Sequence, residues 1–420
     1  MKAQPRSKKP KPSTPETTSE EEEINLQDLG RSYRSGGPTG GCSGPTGGCS
    51  GPRIRSPRSK NNYTKEENDY LKTLSNEERT RLIEQDKQIS AIHPKIPLRF
   101  KILSSNLPPS LQSLLIARAQ ELQEMNEDHS EYFKLKRWMD HVFLLPLNMY
   151  RSMVLPSNKQ HIQSYLKNIH SGLDQRIYGH NHCKHEFLKM VAQWISNPKA
   201  TGHAMGLEGP PGVGKTSFVQ EGIANVLGLP VVFISLGGSH HGSYLNGHAL
   251  TFEGSIYGQI AQGLIQSQCM NPIFFFDELD KVSDTPHGDE IMGVLTHLVD
   301  PSQNRYFMDH YFQGIELDVS RAIFIFSYND GSKIHPILKN RLSVLTMKGY
   351  SNNDKLILMD NYLLPKMYQD YGIRREECNL SIDLMDRLLK ETPLEPGIRL
   401  FKQAVESYLS EWNLNRYLLN

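Results

Sequence analysis

Eight residues constrain this chain more than any others: Gly209-Pro210-Pro211-Gly212-Val213-Gly214-Lys215-Thr216, which fit the pattern G-x-x-x-x-G-K-[ST]. Glycines in such a loop let backbone N–H groups turn inward around phosphate oxygens with no Cβ in the way. A helix starting directly after the loop puts its positive end on the same anion. The pattern carries that meaning only between a strand and a helix. Here a short apolar lead-in, Ala204 to Leu207, precedes it, and an amphipathic stretch with Phe218, Ile223, Val226 and Leu227 follows. In that setting Lys215 reaches the β- and γ-phosphates of a nucleotide, and the Thr216 hydroxyl holds Mg²⁺. The expected ligands are ATP and Mg²⁺, cradled from Gly209 through Ser217.

The surrounding sequence predicts the layer this loop requires. From about 173 to 350 short apolar runs alternate with helical stretches, the pattern of an α/β fold with a parallel sheet flanked by helices. The predicted strands are Pro230 to Leu236, Pro272 to Asp277, Ala322 to Tyr328 and Val344 to Met347. Four consecutive apolar residues, Ile273 to Phe276, read as a strand buried on both faces. Asp277 and Glu278 follow at its C-terminal end, where open α/β sheets bind ligands. Asp277 is the expected second Mg²⁺ residue, and Glu278 the group that polarises an attacking water.

Outside this core the composition shifts. A length of 420 residues suggests two or three domains. Residues 1–90 hold few apolar side chains and are expected to be disordered. They contain an exact tandem repeat, Gly-Pro-Thr-Gly-Gly-Cys-Ser at 37–43 and 44–50, read as a flexible linker that carries Cys42 and Cys49. A basic cluster follows (Arg53, Arg55, Arg58, Lys60). Residues 91–172 read as a helical segment in which 132, 135, 138, 139 and 142 share an apolar face. Residues 351–420 read as a small helical lid. The balance of 47 Lys+Arg against 46 Asp+Glu excludes a globally basic nucleic-acid binder. Five scattered cysteines lack zinc spacing and argue against a disulfide framework. With no long apolar window and no apolar stretch behind Met1, the expectation is a soluble intracellular protein, cytoplasmic by default, without a membrane span.

Several further stretches, taken together, resemble the ATPase module of Lon proteases, within the AAA+ superfamily. They are Ile234-Ser235-Leu236-Gly237-Gly238, Gly247-His248, Asp277-Glu278-Leu279-Asp280-Lys281, Asp300-Pro301-Ser302-Gln303-Asn304 and Asp309-His310-Tyr311. The resemblance spans about 130 to 405. It implies an AAA+ ATPase that assembles as a homo-oligomeric ring, a hexamer, and unfolds or remodels protein substrates. It implies that Asn329 is the sensor-1 residue orienting the attacking water, and that Arg341 is the arginine finger reaching a neighbour's γ-phosphate. Arg399, in Gly397-Ile398-Arg399, matches the lid's sensor-2 arginine. Tyr178 and Gly179 fall where the family abuts the adenine, and Phe252 where its pore loop grips polypeptide, with Glu253 in place of an aliphatic residue. No stretch of these residues resembles the family's Ser–Lys peptidase dyad, so the expectation is a motor whose peptidase, if it works with one, is separate.

Two rival functions differ in class. A nucleic-acid remodeller of the same superfamily would use the basic tail, but no aromatic–basic interleaving for bases is present. A nucleotide-gated scaffold would bind ATP and barely hydrolyse it, against which stand Glu278, Asn329 and Arg341. One more cluster, His180, His182, Cys183 and His185, has donor types that suit a transition metal. Only 182 and 185 have helical spacing, so incidental or nucleotide-adjacent roles are expected. His240 and His241 are read as an exposed loop.

Overall fold

The computed structural model describes residues 63–92, 96–126, 128–152, 158–197, 203–238, 241–252, 254–282 and 285–418. The chain divides into two units, Met1–Ile92 and His93–Asn420. The tandem repeat, Cys42, Cys49 and the basic cluster after them lie outside the described residues.

In the first unit the expectation of disorder up to residue 90 is corrected over its last part, where Lys65–Thr73 and Asn76–Ile92 are helices. The reason is local rather than apolar. Thr64 and Glu67 form a capping box, with Thr64 N donating to Glu67 Oε2 over 2.6 Å and Glu67 N to Thr64 Oγ1 over 3.3 Å. Acidic residues occupy both first turns, where they face the positive helix end. The Tyr63 hydroxyl then bonds Asp86 on the second helix over 2.7 Å. Low apolar content therefore did not exclude helix here.

The second unit is built on a sheet of five parallel strands. They are β1 (His203–Glu208), β2 (Val231–Ser235), β3 (Ile273–Asp277), β6 (Ile323–Tyr328) and β7 (Ser343–Thr346). Two short strands, β4 (Phe307–Met308) and β5 (Glu316–Leu317), pair antiparallel apart from it. The sheet order is β2-β3-β6-β1-β7. Side chains alternate between the faces of a strand, and both faces here are covered. Phe274, Phe276, Phe324 and Phe326 join one apolar cluster, while Ile273, Phe275, Ile323 and Ile325 join the other. Register sets Phe274 opposite Phe324 and Phe276 opposite Phe326. These pairs stack at 5.7 Å and 4.9 Å between centroids.

The helices before the sheet are shared between its faces. Ser130–Val142 buries Leu135, Trp138, Met139 and Val142 in the cluster that holds Phe274. Lys159–Arg176 sends Ile169 and Leu173 to the opposite cluster. The segment expected as one helical block thus serves both sides. After β7 a third cluster, from Met359 to Leu409, gathers the C-terminal helices into a small bundle. The last helix is Arg399–Leu418. Among the described residues no helix is long and apolar enough to cross a membrane.

Candidate nucleotide site

The glycine-rich loop leaves β1, which lies between β6 and β7, and is tied to both flanking strands. Gly209 N donates to Tyr328 O of β6, and Met347 N, just past β7, donates to Glu208 O. Gly212 and Gly214 have φ of 79° and 89°, in the left-handed region that glycine enters without steric cost. At the loop's end Lys215 folds back into it. Its Nζ donates to Gly209 O over 2.6 Å, to Pro210 O over 3.1 Å and to Asn329 Oδ1 over 2.8 Å. Burial holds this ammonium below the ordinary lysine value, against the opposing pull of Asp277 and Asp280.

The ends of β3 and β6 supply the rest. Asp277 Oδ1 accepts a short hydrogen bond from the Ser327 hydroxyl and another from Glu278 N at 3.1 Å. Glu278 is a non-glycine residue at φ 60°, a conformation that L side chains enter at a cost of about 1–2 kcal/mol. Such outliers concentrate at working sites. Its carboxylate lies directly on Gly237, beyond β2, where a Cβ would collide with Oε2. Asn329 N donates to Asp280 Oδ2 over 3.2 Å. Lys215, Asp277, Asp280, Ser327 and Asn329 thus form one cluster at the C-terminal ends of adjacent strands.

On the other side of the loop stand residues from the segment before the sheet and from the lid. Tyr178, Gly212, Gly214, Ser217, Tyr350 and Ile398 line one pocket. The Tyr178 hydroxyl donates to Asp354 over 2.8 Å, and its ring lies 6.5 Å from that of Tyr350 and 6.0 Å from that of Tyr362. Gly179 has φ of 68°. His180 Nε2 contacts Val213 O at 3.0 Å and the Tyr350 hydroxyl at 2.8 Å, while Tyr350 itself donates to Val213 O. Burial lowers the His180 imidazole and raises the Tyr350 phenol. The lid reaches the loop as backbone. Ile398 N donates to Gly212 O over 3.1 Å, and a Cβ on Gly212 would meet Arg399 N and Cβ at 3.2 Å.

The two arginines expected at the site are not part of the cluster. Arg341 donates to Ile337 O and to Asp300 Oδ2, each over 3.1 Å. Arg399 presents an exposed side chain. Phe252 is 64% exposed, while Glu253 lies outside the described residues. The four-residue His/Cys cluster does not assemble. His180 turns to Val213, Cys183 is buried with its thiol toward Thr346 O, and His182 faces Glu186.

Sequence reasoning assigned no role to Ser327, Asp280 or Tyr350. Asp280 carried a signal, since it lies within the Asp277-Glu278-Leu279-Asp280-Lys281 stretch, three residues after Asp277. Tyr350 and Ser327 carried none, because their partners are distant in sequence.

The family model described as "ATPase family associated with various cellular activities (AAA)" matches residues 205–350, from β1 to just past β7. A Lon protease homolog of Acanthamoeba polyphaga mimivirus is 29% identical over 340 residues, 79% of this chain and 33% of that protein. The mitochondrial Lon protease homolog of Yarrowia lipolytica is 30% identical over 72% of this chain and 25% of its own length. The Lon protease of Brevibacillus choshinensis is 30% identical over 72% and 37%. The chain carries an AAA+ module of the Lon type. It spans between 25% and 37% of the length of these curated relatives. The matched stretch of the Lon-type module contains the whole cluster around Lys215, while Tyr178, His180, Ile398 and Arg399 lie beyond its limits.

Three features of the site suit a nucleoside triphosphate with a divalent ion. Two of the acceptors of Lys215 are carbonyls of its own loop, which an anion can replace. Gly212 and Gly214 keep the loop in its left-handed turns. Asp280 Oδ1 is a buried oxygen without a hydrogen-bond partner, and such an atom gains from an added donor such as a bound water.

Proposed function

We propose that this module hydrolyses ATP and, as one subunit of a ring, spends the cycle on pulling polypeptide substrates. The observation that carries the reading is the Lys215–Asn329 hydrogen bond, which joins the phosphate loop to the end of β6 beside the Asp277–Glu278 pair. Lys215 exchanges its loop carbonyls for phosphate oxygens. The ammonium is already partly desolvated, so the exchange strengthens its charge interaction. Thr216 and Asp277 would hold Mg²⁺, which would supply charge neutralisation to the phosphates. Ser327 fixes which way the Asp277 carboxylate faces. Glu278 polarises the attacking water, and Asn329, steered by Asp280, aligns it. Tyr178 and Gly179 border the base, and Arg399 reports phosphate state to the lid. Arg341 serves the next subunit's site, and the exposed ring of Phe252 contacts the polypeptide. The relatives are named as proteases; for this chain the reading is the motor step, with cleavage left to a peptidase outside residues 1–420.

The test is Glu278→Gln. Nucleotide affinity should persist, because Lys215, Thr216 and Asp277 remain, while steady-state turnover falls by about 10²–10⁴. Wild-type turnover in that variant would remove the general-base role. A wild-type protein that binds ATP without turning it over at any protein concentration would overturn the motor reading and leave the nucleotide-gated scaffold.

A further inference from the structure

Away from the phosphate loop, one group of side chains has the donor set of a metal centre. His241, His287 and Glu290 each offer a ligand atom, and these atoms lie within 4.8 Å of one another. They come from separate pieces of chain. His241 belongs to the loop after β2, while His287 and Glu290 belong to the start of the helix Pro286–Val299. Spacing of i,i+3 puts the latter two on one helix face, with His287 Nδ1 3.7 Å from Glu290 Oε1. The His241 ring approaches that of His287 at 4.3 Å between centroids, edge to face at 65°.

Backbone contacts hold the group in place. Gly242 N donates to Glu290 Oε2 over 3.3 Å. A Cβ at Gly242 would come to 3.0 Å from Glu290 Cβ, so the loop lies against the helix where glycine permits it. That contact engages one carboxylate oxygen and leaves Oε1 toward the imidazole. Carboxylates that ligate metals are ordinarily oriented by such an outer hydrogen bond. An exposed imidazole–carboxylate pair by itself is worth at most about 1 kcal/mol, a weak reason to gather three donors.

We propose that His241, His287 and Glu290 bind a divalent transition-metal ion of the zinc class. Two imidazoles and one carboxylate suit zinc, cobalt or nickel, whereas Mg²⁺ and Ca²⁺ take oxygen ligands. Three protein ligands leave a fourth position to water. Bonds of about 2.0–2.2 Å need the donors drawn closer than they stand. All three side chains are exposed, so rotamer changes close the distance without repacking a core. Ser235 and Asp277 are register partners at the ends of β2 and β3. The ion would therefore pin the segment after β2, which includes the Gly237 contact of Glu278, to the helix that follows β3.

The experiment is equilibrium titration of the full chain with Co²⁺ in the absence of nucleotide, read by its visible absorption and displaced by Zn²⁺. Wild type is compared with His241→Ala, His287→Ala and Glu290→Gln, each checked for wild-type circular dichroism. Each histidine variant should lose one equivalent of cobalt, and Glu290→Gln should weaken zinc binding by at least about tenfold. Either result overturns the proposal: no cobalt bound by wild type, or histidine variants with wild-type stoichiometry and affinity.

Discussion

The nucleotide site has two sides that are built differently. On the side of β3 and β6 three groups are already held: Lys215 by three oxygens, Asp277 by Ser327, and Asn329 by Lys215 and Asp280. Outside that cluster stand two guanidinium groups. Arg399 is exposed beside Gly212, and Arg341 is occupied by Asp300. Groups fixed by the sheet stabilise developing charge without reorganising at the moment of reaction. In the proposed reading the arginines arrive instead, one by lid movement and one from a neighbour, and that reading makes them the points of control.

The largest effect should come from the fixed side. Lys215→Ala should abolish ATP binding at concentrations that saturate wild type, measured by calorimetry, because the loop loses its one ammonium. Retained affinity would dissolve the contrast between the two sides.

Next comes the arriving side. Arg341→Ala should keep ATP binding yet lose about 10³–10⁵ in turnover, the usual worth of an arginine finger. Mixing it with Lys215→Ala should restore part of the activity, since a subunit intact at Lys215 then meets a neighbour intact at Arg341. A dead mixture whose members still co-assemble would place Arg341 on the fixed side after all.

The Asp300 contact gives a smaller, graded test. Hydrogen bonds from Ser302 first, then Arg341, hold the Asp300 carboxyl down at about 2. A depressed carboxylate contributes stability that is present above its unfolded value and is lost as pH falls through the folded one. The tie to Arg341 should therefore survive to about pH 3 and fail below it. Asp300→Ala should remove that acid-side loss in a stability-against-pH series while leaving ATP affinity unchanged. The smallest effect is expected for Tyr178→Phe. Loss of its hydrogen bond to Asp354 should cost about 1 kcal/mol, and so weaken nucleotide binding less than tenfold.

How much of this was legible in the sequence follows from how local each cause is. The phosphate loop, Asp277 and Glu278 are written in consecutive residues. β2, β3 and β6 are continuous runs of apolar residues, which need no partner to be recognised. The Lys65–Thr73 helix was missed because its start depends on a four-residue cap rather than on apolar periodicity. The pairing of β4 with β5 involves two residues on each strand, too few to show a period. His180 was read as nucleotide-adjacent at most, and its hold on Val213, 33 residues away, emerges only from the fold. The Asp300–Arg341 tie spans 41 residues in the same way.

Asp309 links the loop that carries Phe252 to the body of the module. It is fully buried, and burial pushes its carboxyl up to about 6 even though it accepts from Gly258 N at 2.8 Å and Tyr311 N at 2.9 Å. Tyr311 O in turn accepts from Trp138 Nε1 at 3.0 Å. Between His248 and Ile256, whose backbones close the loop, projects the exposed ring of Phe252. In mechanical terms that ring is the tip of a cantilever, and Asp309 is the bracket at its root. If Phe252 takes load from a polypeptide, as proposed, the hydrogen bonds of Asp309 and Tyr311 give that load a route into the helix Ser130–Val142, which precedes residues 205–350.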